Sequence, residues 1–270
     1  MSRRLISACL ILVLLLSLGL AACQKQNTAD ESWNKIKAKG VLVLGLDDAF
    51  PPMGFRDEKN NIVGFDIDVA TEVCKRLGLT LKTQPIDWSQ KVNELNTGLV
   101  DCLWNGFTIT EERQKELSIT KPYMKNRQVL VVLAGSTIKT KADLAGKKLA
   151  VQAESSAVEA LNADTAFKKS LKEVVELKDN VTALLDLEAK TTDVVLMDEI
   201  VANYHIQKKG AGYRVLGESL AEEDYGVGFR KADLALRDKV QTTLEAMAKD
   251  GTLAKISQTW FGKDVTTVGK

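Results

Sequence analysis

Histidine is almost missing: the 270 residues contain one, His205. It lies in a helical stretch between Tyr204 and Ile206 with no partner at metal-ligand spacing. That removes the usual imidazole metal sites and His-activated nucleophiles and leaves His205 as a plain helix residue. No Walker loop, dinucleotide glycine fingerprint or nucleophile elbow occurs, so the common phosphate, cofactor and hydrolase signatures go with it. An excess of one charge is missing too. The 37 basic and 36 acidic residues give a net charge of +1, with no basic patch for nucleic acid. Asp66 and Asp68 lie close together, but the oxygen-rich loop of a calcium site is absent. Asp66 is read as a helix cap and Asp68 as a solvated first-turn acid. Neither a metal nor a cofactor is expected.

What is present begins with MSRRLISACLILVLLLSLGLAAC. Two arginines, an apolar run from Leu10 to Leu20 and small residues before a cysteine form a secretory signal, residues 1–22, too short for a conventional membrane span. Leu20-Ala21-Ala22-Cys23 resembles a bacterial lipobox, which implies a lipid on Cys23 and a protein body tethered outside the cytoplasmic membrane. Residues 23–40 then form a polar tether and lead-in segment. Cys9 lies in the signal, which leaves Cys74 and Cys102 for the folded body. One falls on the apolar side of a helix and the other in an apolar strand, so two buried thiols are expected, with a disulfide as the alternative in an exported chain.

Residues 41–46, VLVLGL, read as an internal strand, followed by a turn-rich loop with Pro51 and Pro52 and then by a helix from Asp66 to Gly78. Strand 79–84, a short helix over 88–95 and strand 101–104 continue an α/β layer, with Trp88 read mainly as core. An extended run over 127–134 crosses into a second βα series (KKLAVQ, VVEL, DVVLMD) that ends in a helix over 199–209. This alternation predicts a second α/β lobe. YGVGF at 225–229 and a helix over 232–249 complete the chain.

Arg113 raises a specific question. Thr110 can cap a helix whose first turn holds Glu111, Glu112 and Arg113, and a guanidinium beside free N–H groups suits a carboxylate. Asp198 ends an apolar strand, where an acid can accept an ammonium. Together they describe an amino-acid zwitterion. Asp47 and Asp48 follow the first strand beside Phe50 and are read either as an anionic, aromatic-walled pocket for a cationic side chain or as loop caps. Ser155 and Ser156 either cap a helix or share the carboxylate through Ser156. Trp104 and Phe107, around Asn105 and Gly106, are candidate pocket walls.

The stretches GFDIDVATEVCKRLG, WNGFTITEERQKELSITKPYMKNRQV, KADLAGKKLAVQAESSAVEAL, VVLMDEIVANY and YGVGFRKADLALRDKV resemble the polar amino-acid substrate-binding proteins of bacterial ABC importers (solute-binding protein family 3). The resemblance implies an α/β, two-lobed periplasmic-binding-protein type II fold, a hinge of two crossings, and the ligand in the interlobe cleft. It divides the chain into lobe 1 (41–126 and 219–270) and lobe 2 (127–218). It assigns Arg113, Thr108 and Ser156 to the ligand carboxylate, Asp198, Asn105 and Gly106 to the ammonium, and Asp47 and Phe50 to the side chain. The implied role is capture of a free L-amino acid, arginine or lysine before glutamine, histidine or cystine, and delivery to a permease and its ATPase by a monomer without catalysis. Two alternatives on the same scaffold are a sensory receptor component and a dehydratase. Glu154 stands where the family often has glycine, and Leu81 where some relatives have the disulfide partner of Cys74.

Overall fold

The computed structural model describes residues 30–270 except Ala211. The signal segment and the lipid site at Cys23 expected from the sequence lie outside the described residues. Helix α1 (Ser32–Lys39) leads into β1 (Val41–Leu46), whose last five residues are buried. A strand apolar along its whole length needs cover on both faces: β1 pairs in parallel with β5 (Thr80–Pro85) and β6 (Cys102–Thr108) on its two edges, Leu42, Leu44 and Leu46 pack into the main core on one face, and Val43 packs with Trp88 and Leu95 on the other. Between β1 and β5 come a small antiparallel sheet, β2 (Ala49–Phe50), β3 (Gly54–Arg56) and β4 (Ile62–Val63), and helix α2 (Phe65–Leu77). Gly78 closes α2 in the left-handed conformation, φ 71 being matched at Gly40 and φ 69 found here. A 3-10 turn (Trp88–Gln90) and helix α3 (Lys91–Asn96) precede β6, and helix α4 (Glu111–Glu116) follows it.

The second lobe repeats the plan with β9 (Lys148–Gln152), β10 (Glu173–Leu177) and β11 (Val194–Asp198), paired in parallel. Helices α5 (Ser156–Ala163), α6 (Thr165–Ser170), α7 (Asn180–Glu188) and α8 (Glu199–Lys209) accompany them. The lobes share one sheet. Two long antiparallel strands, β8 (Met124–Leu133) and β12 (Tyr213–Arg230), join them in the order β10-β9-β11-β8-β12-β6-β1-β5, with β7 (Leu117–Ile119) on β12. The divisions read from the sequence at 126/127 and 218/219 fall inside these strands. The ladder between them is irregular between Val215 and Ser219 and again between Ser219 and Ala221. Helices α9 (Leu234–Lys249) and α10 (Thr252–Phe261) return to the first lobe, where Leu236, Val240, Leu244 and Met247 are fully buried.

Several sequence readings need correction. The strand expected over 101–104 runs on to Thr108 and is buried throughout, so Asn105 and Gly106 lie in a strand and not in a loop. YGVGF is the end of an eighteen-residue strand. The expectation of two buried thiols holds: Cys74 and Cys102 are free and buried, and burial pushes the Cys74 thiol up to about 12. Asp66 does not cap α2: Gly64 holds that position without a side-chain bond. Asp66 is instead fully buried, and its Oδ2 accepts from the Gly106 N–H at 2.7 Å and the Tyr123 hydroxyl at 2.9 Å.

Burial raises the Asp66 carboxyl to about 7, against the lowering effect of those two donors. The folded state therefore binds more protons than the unfolded chain between about pH 4 and 7, so this group's contribution falls as pH rises through that window. Asp66→Asn is expected to flatten the fall in thermal midpoint between pH 5 and 8. Asp66→Ala is expected to cost about 1–3 kcal/mol in urea unfolding, because the buried Gly106 N–H and Tyr123 O–H lose their acceptor.

Candidate functional site

The Thr110 hydroxyl accepts the Arg113 N–H at 3.2 Å and caps α4, as its sequence predicts. This turn directs Arg113 inward, where it is 6% exposed. Its guanidinium lies 4.6 Å over the Phe107 ring, Nη1 donates to the Thr108 carbonyl at 2.9 Å, and Nε faces Glu159 at 3.6 Å. A guanidinium has five N–H donors, so most of this buried fork is without a hydrogen-bond partner among the described residues.

Beside it, the hydroxyls of Ser156 and Thr108 meet across the lobes, Ser156 Oγ donating to Thr108 Oγ1 at 3.1 Å. Ser156 begins α5 and Ser155 does not cap it; Ser155 Oγ donates to the Gln152 carbonyl. Asp198 ends β11, buried, and its Oδ1 accepts from the Tyr225 hydroxyl at 2.6 Å and from Asn126 Nδ2 at 2.7 Å. Burial, then the charge of Glu223, raises its carboxyl above the ordinary range.

Asp47 is buried under the second lobe: its Oδ1 takes the Ala49 N–H and its Oδ2 takes Gln152 Nε2 at 2.7 Å. Burial lifts it to about 6, with Asp179 and Asp48 adding to the rise. Asp48 turns away and pairs with Arg56. Phe50 is buried against Gly106, which has φ +56; a Cβ there would stand 2.8 Å from Phe50 Cε1 and 3.2 Å from Tyr225 Cζ. Asn105 is buried with Nδ2 3.5 Å from the Gly54 carbonyl and Oδ1 unpartnered. Trp104 is fully buried 6.5 Å from Tyr123. It belongs to the apolar core that contains Phe65, whereas Phe107 packs with Trp88 in a separate cluster that underlies Arg113.

Sequence reasoning missed Lys91, Asn126, Gln128, Gln152, Glu223 and Tyr225. Asn126 and Gln128 are two apart in β8 and alternate with Lys125 and Arg127, a spacing that puts them together on one face and marks them as readable in principle. Lys91 is buried against Trp88, and its Nζ donates to the Glu154 carbonyl at 2.7 Å across the cleft. Burial and the charge of Arg113 lower it to about 8. Glu154 itself has φ +54, the left-handed conformation that glycine takes without strain.

These groups share the space between lobes, and a cavity of about 840 Å³ lined by Thr108, Ser156, Glu159 and Glu223 opens beside them. The family model of the bacterial extracellular solute-binding proteins, family 3, matches residues 42–263. The chain belongs to that family. The L-cystine-binding protein TcyJ of Escherichia coli (strain K12) is 31% identical over 256 residues, 92% of each chain. A substrate-binding protein of an ABC uptake transporter from Streptococcus pneumoniae, solved with bound histidine, is 38% identical with a TM-score of 0.86, covering 89% of this chain and all of that one. The structure of Tv2483 bound to L-arginine has 36% identity and a TM-score of 0.86, covering 89% of this chain and 98% of that one.

In this solute-binding protein the contact of Gly106 with two aromatic rings is a sharp test of cleft geometry. Gly106→Ala is expected to cost about 1–3 kcal/mol in urea unfolding, through its positive φ and displacement of Phe50, and to weaken ligand binding in calorimetry.

Proposed function

We propose that this protein captures a polar L-amino acid outside the cytoplasm and delivers it to an ABC permease by closure of its two lobes. One observation carries the reading: a buried guanidinium with unused donors, Arg113, lies in the same cleft as the buried acid Asp198. That pairing complements a ligand with a carboxylate and an ammonium. Thr108 and Ser156 support the carboxylate, and Asn105 and Gly106 the ammonium. The relatives bound to L-arginine and histidine and the L-cystine-binding relative support this ligand class.

The side-chain end is assigned to Asp47 and Phe50, with Phe107 beneath Arg113. Asp47, Asp198, Glu159 and Glu223 outnumber Arg113 and Lys91 around the cleft, which favours a cationic side chain, arginine or lysine, over glutamine, histidine or cystine. Both Asp47 oxygens already accept a bond, but an ionised carboxylate has about four acceptor positions. The irregular ladder at 215–221 is where the crossings bend, and a lipid on Cys23 holds the monomer to the bacterial membrane while the permease's ATPase supplies the energy. No step of this role changes a bond in the ligand.

A thermal-shift panel of L-amino acids and cystine on refolded, ligand-stripped protein tests the class, since a ligand of the folded state raises its midpoint. A large shift with arginine or lysine is expected; no shift with any of them defeats the reading. Arg113→Ala is expected to cost about 2–5 kcal/mol of binding free energy by calorimetry, as the loss of one partner of a buried charge pair does. Asp47→Asn is expected to weaken arginine more than glutamine, and equal losses would assign Asp47 to loop structure.

A further inference from the structure

The crossing strand β12 carries three successive acids, and the middle one turns into the cleft. Glu223 Oε2 accepts from Thr108 Oγ1 at 3.1 Å, Asn126 Nδ2 at 3.0 Å and Gln128 Nε2 at 2.9 Å. The same Asn126 nitrogen donates to Asp198 Oδ1 at 2.7 Å, so one amide group separates two carboxylates, one at the end of β11 in the second lobe and one on the crossing strand β12. Among the described residues Glu223 has no ion pair within 4.0 Å; the guanidinium of Arg113 senses its charge from farther off and is paired with Glu159. Two further acceptors in this cluster are idle: Asn126 Oδ1 and Gln128 Oε1 are buried without a hydrogen-bond partner, in residues 5% and 0% exposed.

Two carboxylates and two unpartnered amide oxygens share the N–H2 groups of Asn126 and Gln128 and the hydroxyls of Thr108 and Tyr225, a set with more acceptor positions than donors in which the two acids have only the more distant charge of Arg113 opposite them. Buried acceptors in such a set call for a donor, and the second carboxylate calls for a cation. An ammonium supplies both, because its three N–H groups spread over several oxygens as a compact charge. A neutral ligand group would leave the acid pair uncompensated.

We propose that Glu223 is a second acid for the ligand's α-ammonium, a specificity-determining residue that works beside Asp198 and makes a charged amine obligatory. The proposal rests on the amino-acid reading of the cleft. It assigns to the crossing strand a direct ligand contact, in the regular part of its ladder with β8 just beyond the irregularity at 215–221.

The test removes the charge from the acid and, separately, the amine from the ligand. Binding of L-arginine and 5-guanidinopentanoate, and of L-histidine and 3-(imidazol-4-yl)propanoate, is measured for the wild-type protein and Glu223→Gln by calorimetry, with displacement titration for the weak analogues. Each pair differs only in the α-ammonium. Glu223→Gln is expected to weaken the amino acids about 10- to 100-fold, the scale of one charge-assisted bond, and to leave the deaminated analogues within about two-fold. Equal losses for amino acid and analogue overturn the proposal and make Glu223 a prop for Thr108, Asn126 and Gln128. If the wild-type protein binds neither L-arginine nor L-histidine nor any other L-amino acid of the panel, the amino-acid reading itself fails, a result distinct from binding without selectivity at Glu223. A crystal structure with the bound amino acid decides the point without a variant: Glu223 within hydrogen-bond distance of the ammonium supports the proposal, and a Glu223 side chain turned out toward the adjoining cavity overturns it.

Discussion

A guanidinium cannot be buried without compensation, and the cleft is organised around that constraint. Arg113 is held by the Thr108 carbonyl, by the face of Phe107 and, more loosely, by Glu159. None of these uses the full fork. A surface arginine in the same helix would be solvated and need no partner, but desolvation disfavours the inward-facing cation and so raises the value of an anion that fits. The acids opposite follow the same logic with the sign reversed. Asp198 and Asp47 are both pushed toward their neutral forms by burial, so a cation that replaces the missing water favours their charged forms.

Ser156 to Thr108, Gln152 to Asp47, Lys91 to Glu154, Asn126 and Tyr225 to Asp198, and the Arg113–Glu159 ion pair join one lobe to the other. A neutral hydrogen bond is worth about 0.5–1.5 kcal/mol net and one to a charged group about 1.5–3 kcal/mol, while Glu154 adopts a backbone conformation that costs about 1–3 kcal/mol for a non-glycine residue. A ligand shifts the lobes only through contacts that differ between the open and shut forms. Because β8 and β12 run through both halves of one sheet, any movement of one lobe against the other has to bend these two strands.

Much of this was legible one element at a time. Alternation of strand and helix, the Thr110 cap and the acid at the end of DVVLM depend on contacts within a few residues, and the fold brings Arg113 near enough to Asp198 for their charges to interact. Asp66 failed because its setting was judged locally: a carboxylate near a helix start is usually a cap, and here the strand residue Gly106 and Tyr123 claim it instead. Trp104, chosen for its closeness in sequence to Asn105 and Gly106, belongs to the core beside Tyr123.

The sequence by itself determined the α/β rhythm, the two-lobed plan and the chemistry available, an arginine for a carboxylate and acids for an amine, because periodicity and capping are short-range effects. Only the tertiary structure decided which polar groups converge. Lys91 with Glu154, Gln152 with Asp47, and Glu223 with Asn126 are separated by tens of residues or more, and their partnership arises from the folding of two crossings into one sheet. Burial, which turns those side chains from solvated charges into a recognition site, is a property of the whole packed chain and of no segment within it.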